Sequence, residues 1–456
     1  MNTYIIVGVI LVVLVALLAA NKKLVETLKN IYKIEELRKR ILFTLGLLLI
    51  YRLGSFVTLP GVDHAVLEQW TQNFANDSSS LMGLLNIFSG GAFSQASVFA
   101  LGVMPYITAS IIIQLLGIMV PYFRKMQREG ESGRRRMNQW TRFLTIAVLL
   151  LQAPAYLATQ VISSGAVAVT GDFLGIANGA FIVPAVIILI AGTMFIMWLG
   201  EKITDKGIGN GISLIIMIGI VARLPQSFLQ ELMFQTTGGG SIIMLLVELV
   251  FLALVFMLAI AIVQAVRKIP VQYAKRIVGN KQYGGVRQYI PLKLNAANVM
   301  PIIFAQALMF IPGLIWGGQW LDITSFWYNF TLVVLVIAFT YFYTAIIVNP
   351  QMMADDMKRN GGFIPGVKPG KSTVTYIDDI MTRITLPGSV FLAIITILPA
   401  IAMSLGITQG FAYFFGGTSL LIMVGVVLDT LKQIESYLLM RHYDGLMKTG
   451  RIQGRY

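Results

Sequence analysis

Apolar residues are arranged along this chain in long uninterrupted runs, which short polar segments separate. A helix of roughly 20 apolar residues crosses the hydrocarbon core of a bilayer. Ten runs near that length predict ten transmembrane helices, at 41–58, 96–120, 141–161, 181–200, 208–224, 242–264, 293–316, 327–348, 384–405 and 414–434. The pattern therefore predicts an all-α polytopic membrane protein.

A further apolar run, Tyr4 to Ala20, precedes these ten. Its positive charges, Lys22 and Lys23, follow the run, whereas those of a secretory signal peptide precede it. We expect residues 1–21 to be an extra apolar segment: an additional span with its N-terminus outside, a fused small subunit or a sequence foreign to the natural chain. Residues 22–40 are expected to form a cytoplasmic amphipathic segment.

Positive charges are confined almost entirely to six segments between the predicted spans. These hold 33 of the 35 Lys and Arg residues and lie at 21–40, 121–142, 201–207, 265–293, 349–383 and 432–456. The positive-inside rule places all six in the cytoplasm, together with both tails of the ten-span core. For any single lysine in these segments, a role in setting the membrane topology explains its presence as well as a role in binding a partner does. Only Arg52 and Arg223 lie elsewhere.

The segment 265–293 carries tyrosines and glycines between its charges. Its length and composition predict an ordered finger that projects from the membrane and docks a partner. The net charge of +14 is compatible with nucleic acid, anionic lipid or an acidic protein.

Few residues in the chain can support catalysis or ion coupling. It has two histidines and no cysteine, which excludes thiol chemistry, disulfides and zinc sites. Acidic residues at span centres mark proton and ion relays, and Glu248 is the one plausible candidate, with Asp429 near the cytoplasmic end of the tenth span. We therefore expect no enzymatic activity, metal or cofactor.

The stretch "EKITDKGIGNGIS", residues 201–213, has glycines at three alternate positions. A phosphate-binding loop needs a strand before it and a soluble helix after it, whereas both neighbours here are predicted spans. The glycines instead allow the next helix to begin close against its neighbours. Asn210 is expected to face a cavity in the cytoplasmic half.

Two other segments mix polar or small residues with apolar ones. Residues 84–91 are apolar but too short to span a bilayer. They fit equally well a segment that dips into a cavity from outside and a helix that lies at the membrane interface. Pro105 is expected to interrupt the second span. Asn295 and Asn298 are expected on one helical face, before a bend at Pro301.

Several long stretches, in a fixed order, carry a resemblance to a known family. Among them are "FSGGAFSQASVFALGVMPYITASIIIQLL", "EGESGRRRMNQWTRFLT", "GTMFIMWLGEKITDKGIGNGISLIIMIGIVARLP", "IPLKLNAANVMPIIFAQ" and "YFFGGTSLLIMVGVVLDT". Over about residues 22–456 the chain resembles the SecY family, the channel subunits of the bacterial Sec protein translocon.

The resemblance implies two inverted, pseudo-symmetric halves around a central pore, at 41–224 and 242–434. It also implies an external hinge connection at 225–241 and a cytoplasmic tail at 435–456. A plug at about 81–95 is implied to close the outer side, through Leu84, Leu85, Ile87, Phe88, Gly90 and Gly91. A ring of aliphatic side chains is implied at the waist, formed by Val103, Ile107, Ile212, Ile216, Ile303 and Ile422.

A lateral gate is implied near Gln114, Asn210 and Asn295, through which signal sequences and new membrane helices pass into lipid. The loops 265–293 and 349–383 are implied to dock the SecA ATPase or the ribosome and its RNA, through Arg267, Lys268, Lys275, Arg276 and Lys368. The resemblance further implies SecE and SecG subunits as partners, nascent chains and membrane lipids as ligands, and a place in the bacterial cytoplasmic membrane.

Most members of the family carry Arg where this chain has Lys368, in "PGVKPG". Lys keeps the positive charge, but its ammonium group cannot make the two-pronged contact that an Arg guanidinium makes with a partner.

Two other functions are weighed against a translocation channel. A secondary transporter also has inverted halves and broken helices and would depend on Glu248 or Asp429. A membrane enzyme comes third, because catalytic residues are scarce.

Overall fold

The computed structural model of the chain describes residues 34–63, 65–67, 86, 89–167, 179–237, 241–273, 276–278, 281–283, 287–316 and 324–448. The predicted N-terminal segment 1–21 lies outside these residues. So do four of the predicted plug positions, Leu84, Leu85, Ile87 and Phe88, and the predicted docking residue Lys275.

Most of the described chain is helical. In chain order the helices are α1 (Glu35–Gly54), α2 (Met104–Met119), α3 (Pro121–Arg128), α4 (Glu131–Tyr156, continued by a π-helical turn Leu157–Ile162), α5 (Gly179–Lys206), α6 (Gly211–Thr237), α7 (Ile242–Gln264), α8 (Met300–Trp316), α9 (Phe326–Ile347), α10 (Pro350–Arg359), α11 (Lys371–Ser404), α12 (Gln409–Ala412) and α13 (Gly417–Lys448).

Within the described part of the chain, seven helices are long and apolar enough to cross a membrane, and eight if the bent pair α2 and α3 is one span. The two members of that pair are inclined by 100°. Three helices at positions of predicted spans are not among these seven, because they are shorter or carry more charge. α2 has 16 residues and α8 has 17, and the first turns of α1 are charged.

Three predicted helix boundaries are wrong. Pro105 and Pro301 neither interrupt nor bend a helix; each stands at the start of one, since α2 begins at Met104 and α8 at Met300. Proline is tolerated in the first turn because its missing N–H would have no helical partner there. The fifth span does not end at Leu224, because α6 continues through Pro225 to Thr237. Residues 225–237, predicted as a connection, are therefore helical.

The prediction of an all-α fold has an exception in the predicted docking loops. Strands β1 (Val266–Tyr273) and β4 (Arg287–Lys293) pair antiparallel, with Val266 opposite Lys293 and Gln272 opposite Arg287. A short strand from the next loop, β5 (Gly362–Phe363), adds to the other edge of β1. Strands β2 (Arg276–Val278) and β3 (Lys281–Tyr283) form a separate pair. Alternating burial of Ile269 and Val271 along β1 gives this sheet one apolar face.

The described residues form two compact units. Unit one comprises the described residues between 34 and 237 together with 426–448, and unit two comprises 241–425. In unit one, residues 57–67 and 93–100 pack with the end of α4 and the start of α5 around Leu59, Tyr156 and Leu189. In unit two, the three-stranded sheet packs on α10 and α11 through Ile269, Val271, Leu292, Met357, Ile377 and Met381.

The glycine stretch joins α5 to α6 in a tight loop whose N–H groups are bonded to protein. The amide of Ile208 donates to Thr44 Oγ1 (3.1 Å), that of Gly209 to Gln433 Oε1 (2.8 Å) and that of Gly211 to Thr204 Oγ1 (2.9 Å). These donors would face the anion in a phosphate loop. The loop is therefore a packing joint between helices.

Close approach of the backbones explains why Gly211 carries no side chain. A Cβ at Gly211 would overlap the carbonyl oxygen of Gly200 and lie 2.8 Å from Ile203 Cβ. Asn210 caps α6 here, since its Oδ1 accepts from the Ser213 amide (3.2 Å). The described structure thus gives Asn210 a capping contact at the start of α6.

We expect Gly211→Ala to lower the apparent melting temperature of the purified chain by several degrees. The added methyl group must displace backbone, at a cost of about 1–3 kcal/mol. Gly425→Ala in α13 is the matched control, because its Cβ would meet nothing within 4 Å. That substitution should be neutral or slightly stabilising, since Ala favours a helix over Gly. Equal melting temperatures for both variants would contradict this account of the loop.

Candidate functional site

A buried segment without helical structure, Ser89–Val103, precedes α2 in unit one. Its backbone turns on itself: Gly91 N donates to Asn86 O (2.9 Å) and Ser97 N to Ala92 O (3.1 Å). Ser89 Oγ accepts from Phe93 N (3.0 Å). Non-helical backbone at membrane depth occurs only where protein buries it or where it lines a water-filled cavity. We call residues 89–103 the closing segment.

Neighbouring helices supply the remaining contacts of the closing segment. The hydroxyl of Tyr156 on α4 donates to Phe93 O (2.7 Å). Residues following α1 run beside it, with Leu59 N donating to Ala96 O (2.9 Å) and Val98 N to Val57 O (2.8 Å). Ala96 is held at φ 44°, a conformation that costs free energy for a residue with a Cβ. Packing from several elements therefore maintains this shape.

Gly90 and Gly91, two predicted plug residues, bring the closing segment against α6. Both have positive φ, at 65° and 94°. A Cβ at Gly90 would lie 2.9 Å from Gly219 Cα, and a Cβ at Gly91 would lie 2.7 Å from Arg223 Nη2. The two glycines thus allow the turn to adopt positive φ angles and leave room for α6, Gly90 beside the backbone of Gly219 and Gly91 beside the side chain of Arg223.

Two arginines contact this segment, and sequence reasoning gave them no role. Arg52 on α1 donates from Nη1 to Gly90 O (2.8 Å), and Arg223 on α6 donates from Nη2 to Ser94 Oγ (3.2 Å). The signal that could have identified them was their position, because they are the only Lys or Arg residues outside the six basic segments.

Four predicted ring residues lie in unit one and two in unit two. Val103 caps α2, with Ile107 one turn later, and Ile212 and Ile216 lie one turn apart on α6. Residues four apart share a helix face, so each pair presents one aliphatic face. In unit two, Ile303 lies in the first turn of α8 and Ile422 lies buried in α13. The closed ring stays a prediction.

The predicted gate residues have local partners in each unit. Gln114 Nε2 donates to Ser110 Oγ (3.3 Å) within α2. Asn295 is buried and donates to Asn298 O (3.3 Å), while its Oδ1 has no hydrogen-bond partner among the described residues. The expectation that both amides lie on one helical face is wrong. Residues 294–299 form a turn, and the backbone of Asn298 adopts the left-handed conformation, with φ 53°.

Two of the predicted docking residues, Arg267 and Lys268, lie on the three-stranded sheet of unit two. Arg267 and Lys268 are exposed on β1, while Ile269 beside them is buried against α11. Arg276 lies on β2. Lys368 lies just before α11, where its carbonyl accepts from Thr373 Oγ1 (3.0 Å). Because β5 pairs with β1, the two predicted docking loops are joined in one sheet.

The two acidic residues of the transporter alternative lie far apart in the chain and in different surroundings. Glu248 is buried on α7, whereas Asp429 is exposed on α13. Among the described residues, no group of three or more acidic or histidine side chains could hold a metal ion.

Comparisons with known proteins identify one family throughout. The family model described as SecY matches residues 97–431. A protein translocase subunit SecY of Corynebacterium glutamicum is 42% identical over 445 residues, covering 91% of this chain and 98% of the relative. A protein of the same name from Streptomyces scabiei is 43% identical, with the same coverage.

Solved structures agree on the fold. A structure described as a protein-conducting channel covers 87% of this chain and 91% of its own, with a TM-score of 0.58 at 18% identity. Sec61 from a canine ribosome–channel complex gives a TM-score of 0.55 at 16% identity. These matches show that the fold of this multi-pass membrane protein is that of SecY and Sec61 channels. Since the family model and the relatives both cover most of its length, the chain belongs to the SecY family of protein translocase subunits.

Proposed function

We propose that this chain is the protein-conducting channel subunit of a bacterial translocon. It passes unfolded secretory polypeptides across the cytoplasmic membrane and releases transmembrane segments sideways into lipid. Beyond family membership, the closing segment is the observation that supports this function best. Its buried non-helical backbone lies against Gly219 on α6, the helix that carries ring residues Ile212 and Ile216.

The proposed architecture has ten spans in two inverted halves. They are α1, α2, α4, α5 and α6, followed by α7, α8, α9, α11 and α13. The matching starts of α2 and α8 support the repeat, because both begin with Met-Pro after a non-helical, partly buried segment. Six basic segments then lie in the cytoplasm with both tails of the core. Residues 89–95 of the closing segment face the outer side as part of the plug, which extends over about 81–95.

Six aliphatic side chains seal the proposed pore: Val103, Ile107, Ile212, Ile216, Ile303 and Ile422. Aliphatic groups form no lasting hydrogen bond with a passing backbone, so they close around it without retaining it. When the channel is empty, a hydrophobic constriction excludes water and ions by dewetting. No covalent step is needed, and the chain acts as a conduit without enzymatic activity of its own.

Lateral release follows from partitioning between the pore and the lipid. An apolar segment gains about 0.3–0.6 kcal/mol for each Leu-like residue that enters the bilayer centre. Gln114, Asn210 and Asn295 are proposed to lie near the gate. The buried Oδ1 of Asn295 leaves one acceptor available to a partner, which fits a polar position that changes partners when the gate opens.

The sheet of unit two is proposed to dock the SecA ATPase and the ribosome, with SecE and SecG as membrane partners. Sec61 and Ssh1, whose structures resemble this chain, were solved in complexes with ribosomes. Exposed Arg267 and Lys268 can contact RNA phosphates or acidic protein surfaces. The apolar core between the sheet and α11 gives these charges a rigid support.

The path of the polypeptide can be tested with a chain that has no native cysteine. We expect Ile212→Cys to form a disulfide with a cysteine in a secretory precursor that a folded C-terminal domain has stalled. The crosslink should require SecA and ATP, because only an inserted precursor reaches the ring.

Ile187→Cys is the matched control, since Ile187 is 62% exposed on the outer surface of α5. Crosslinking at Ile212 alone supports the pore. If no ring position crosslinks in membranes that demonstrably export the precursor, the ring assignment is wrong and the transporter alternative returns. Neutralising Glu248 or Asp429 should then abolish activity.

The docking surface makes a separate prediction. The double variant Arg267→Glu/Lys268→Glu should weaken binding of SecA and of ribosomes about tenfold or more in low salt, and the loss should shrink as salt screens the charges. The double variant Lys125→Glu/Arg135→Glu carries the same change in net charge on another cytoplasmic segment. Equal losses in both variants would indicate a general effect of charge and contradict docking at the sheet.

A further inference from the structure

Arg52 and Arg223 are the two positive charges that the topology of the chain does not explain. Every other Lys or Arg falls in a basic segment assigned to the cytoplasm. Arg52 lies in the last turn of α1, and Arg223 lies in the middle of α6. Charged groups inside membrane segments are costly and mark functional positions.

Both guanidinium groups bind the closing segment, from two different helices. Arg52 Nη1 lies 2.8 Å from Gly90 O, and Arg223 Nη2 lies 3.2 Å from Ser94 Oγ. Ser94 Oγ in turn donates to Gly91 O (3.1 Å). The two guanidinium groups are thus connected through residues 90–94, which link α1 to α6.

The partners of both arginines are electrically neutral. Among the described residues, neither Arg52 nor Arg223 forms an ion pair with a carboxylate. Arg52 also stacks on Phe56, with its Cζ 4.6 Å from the ring centroid, and lies 3.5 Å from Ser55 Oγ. A hydrogen bond from a charged donor to a neutral acceptor is stronger than one between neutral groups, yet water can replace it.

The absence of a side chain at Gly90 and Gly91 makes these contacts possible. The Cβ of any other residue at 91 would lie 2.7 Å from Arg223 Nη2, and at 90 it would lie 3.3 Å from Arg52 Nη1. The glycines therefore clear the space that the two guanidinium groups occupy.

We propose that Arg52 and Arg223 are positioning residues that together hold the closing segment on α1 and α6 while the channel is shut. This inference rests on the proposed channel function and assigns a residue-level cause to its closed state. When the segment leaves, each guanidinium exchanges a neutral acceptor for water, so closure is firm but reversible. A buried carboxylate partner would resist that exchange far more strongly.

Loss of these contacts shifts the equilibrium between closed and open channels. Removing one charge-assisted hydrogen bond should lower the closed-to-open ratio about tenfold. A signal sequence opens the channel by binding the open state better, so a less stable closed state needs less binding energy to open. Variants without the arginines should therefore leak ions and accept precursors with weakened signal sequences.

The experiment uses the full channel complex in proteoliposomes. Arg52→Ala, Arg223→Ala and the double variant are compared for iodide leak without precursor and for transport of precursors with intact or defective signal sequences. We expect leak and transport of the defective precursor to rise at least about tenfold in the double variant. Transport of the intact precursor should persist.

Conservative variants separate this role from a general effect on folding. Arg52→Lys should recover part of the closure, since an ammonium group still donates to Gly90 O. Ser94→Ala and Arg223→Ala should not be additive, because they remove the same hydrogen bond. Ser94→Asp should have the opposite effect, as an ion pair with Arg223 tightens closure and slows transport. Arg135→Ala, on an exposed part of α4, controls for loss of a positive charge.

An unchanged leak and an unchanged signal requirement in the double variant, at a normal melting temperature, would overturn the proposal. So would a loss of intact-precursor transport without any leak, because that result indicates a structural role. If the wild-type complex transports no precursor, the channel function itself fails, and the leak measurement still decides whether the arginines close a pore.

Discussion

Backbone N–H and C=O groups inside an apolar environment must find hydrogen-bond partners within the protein, and the non-helical parts of this chain depend on that requirement. The helices meet it internally. The loop between α5 and α6 meets it with side chains from three helices, those of Thr44, Thr204 and Gln433. The closing segment meets it with turns of its own and with Tyr156, Arg52 and Leu59. Both of these non-helical stretches are therefore surrounded by specific partners, and the partners of the closing segment define the candidate site.

The two glycine-rich places satisfy this constraint in ways that have different consequences for motion. At Gly211 the carbonyl of Gly200 lies where a side chain would project, and side chains from separate helices hold the loop, so it behaves as a fixed joint. At Gly90 the closing segment touches α6 through backbone atoms and is held by polar contacts that water can replace. A contact without interlocking side chains can separate and form again, which is the behaviour that the proposed plug requires. Tight packing of apolar side chains would give a more permanent seal.

The helical architecture was largely predictable from sequence because roughly 20 apolar residues in a row leave few alternatives. Proline positions were not, since Pro105 and Pro301 read equally as breaks or as helix starts. The sheet at 266–293 was predicted only as an ordered finger, because its pairing with β5 joins residues about 90 positions apart. Family resemblance pointed to Gly90 and Gly91, but their contacts depend on Gly219 and Arg223, which a sequence does not place in space. Arg52 and Arg223 could have been noticed as topological exceptions, but not their partners.

The central claim is that the closing segment seals a polypeptide channel and leaves α6 when that channel opens. Electron cryomicroscopy of the complex, with and without a stalled precursor, tests this claim most directly. With a precursor bound, the account predicts extended polypeptide density between the six ring side chains and no contact between Gly90 and Gly219. Without a precursor, that contact should be present. A complex in which a polypeptide crosses the membrane while Gly90 still rests on Gly219 would contradict the account.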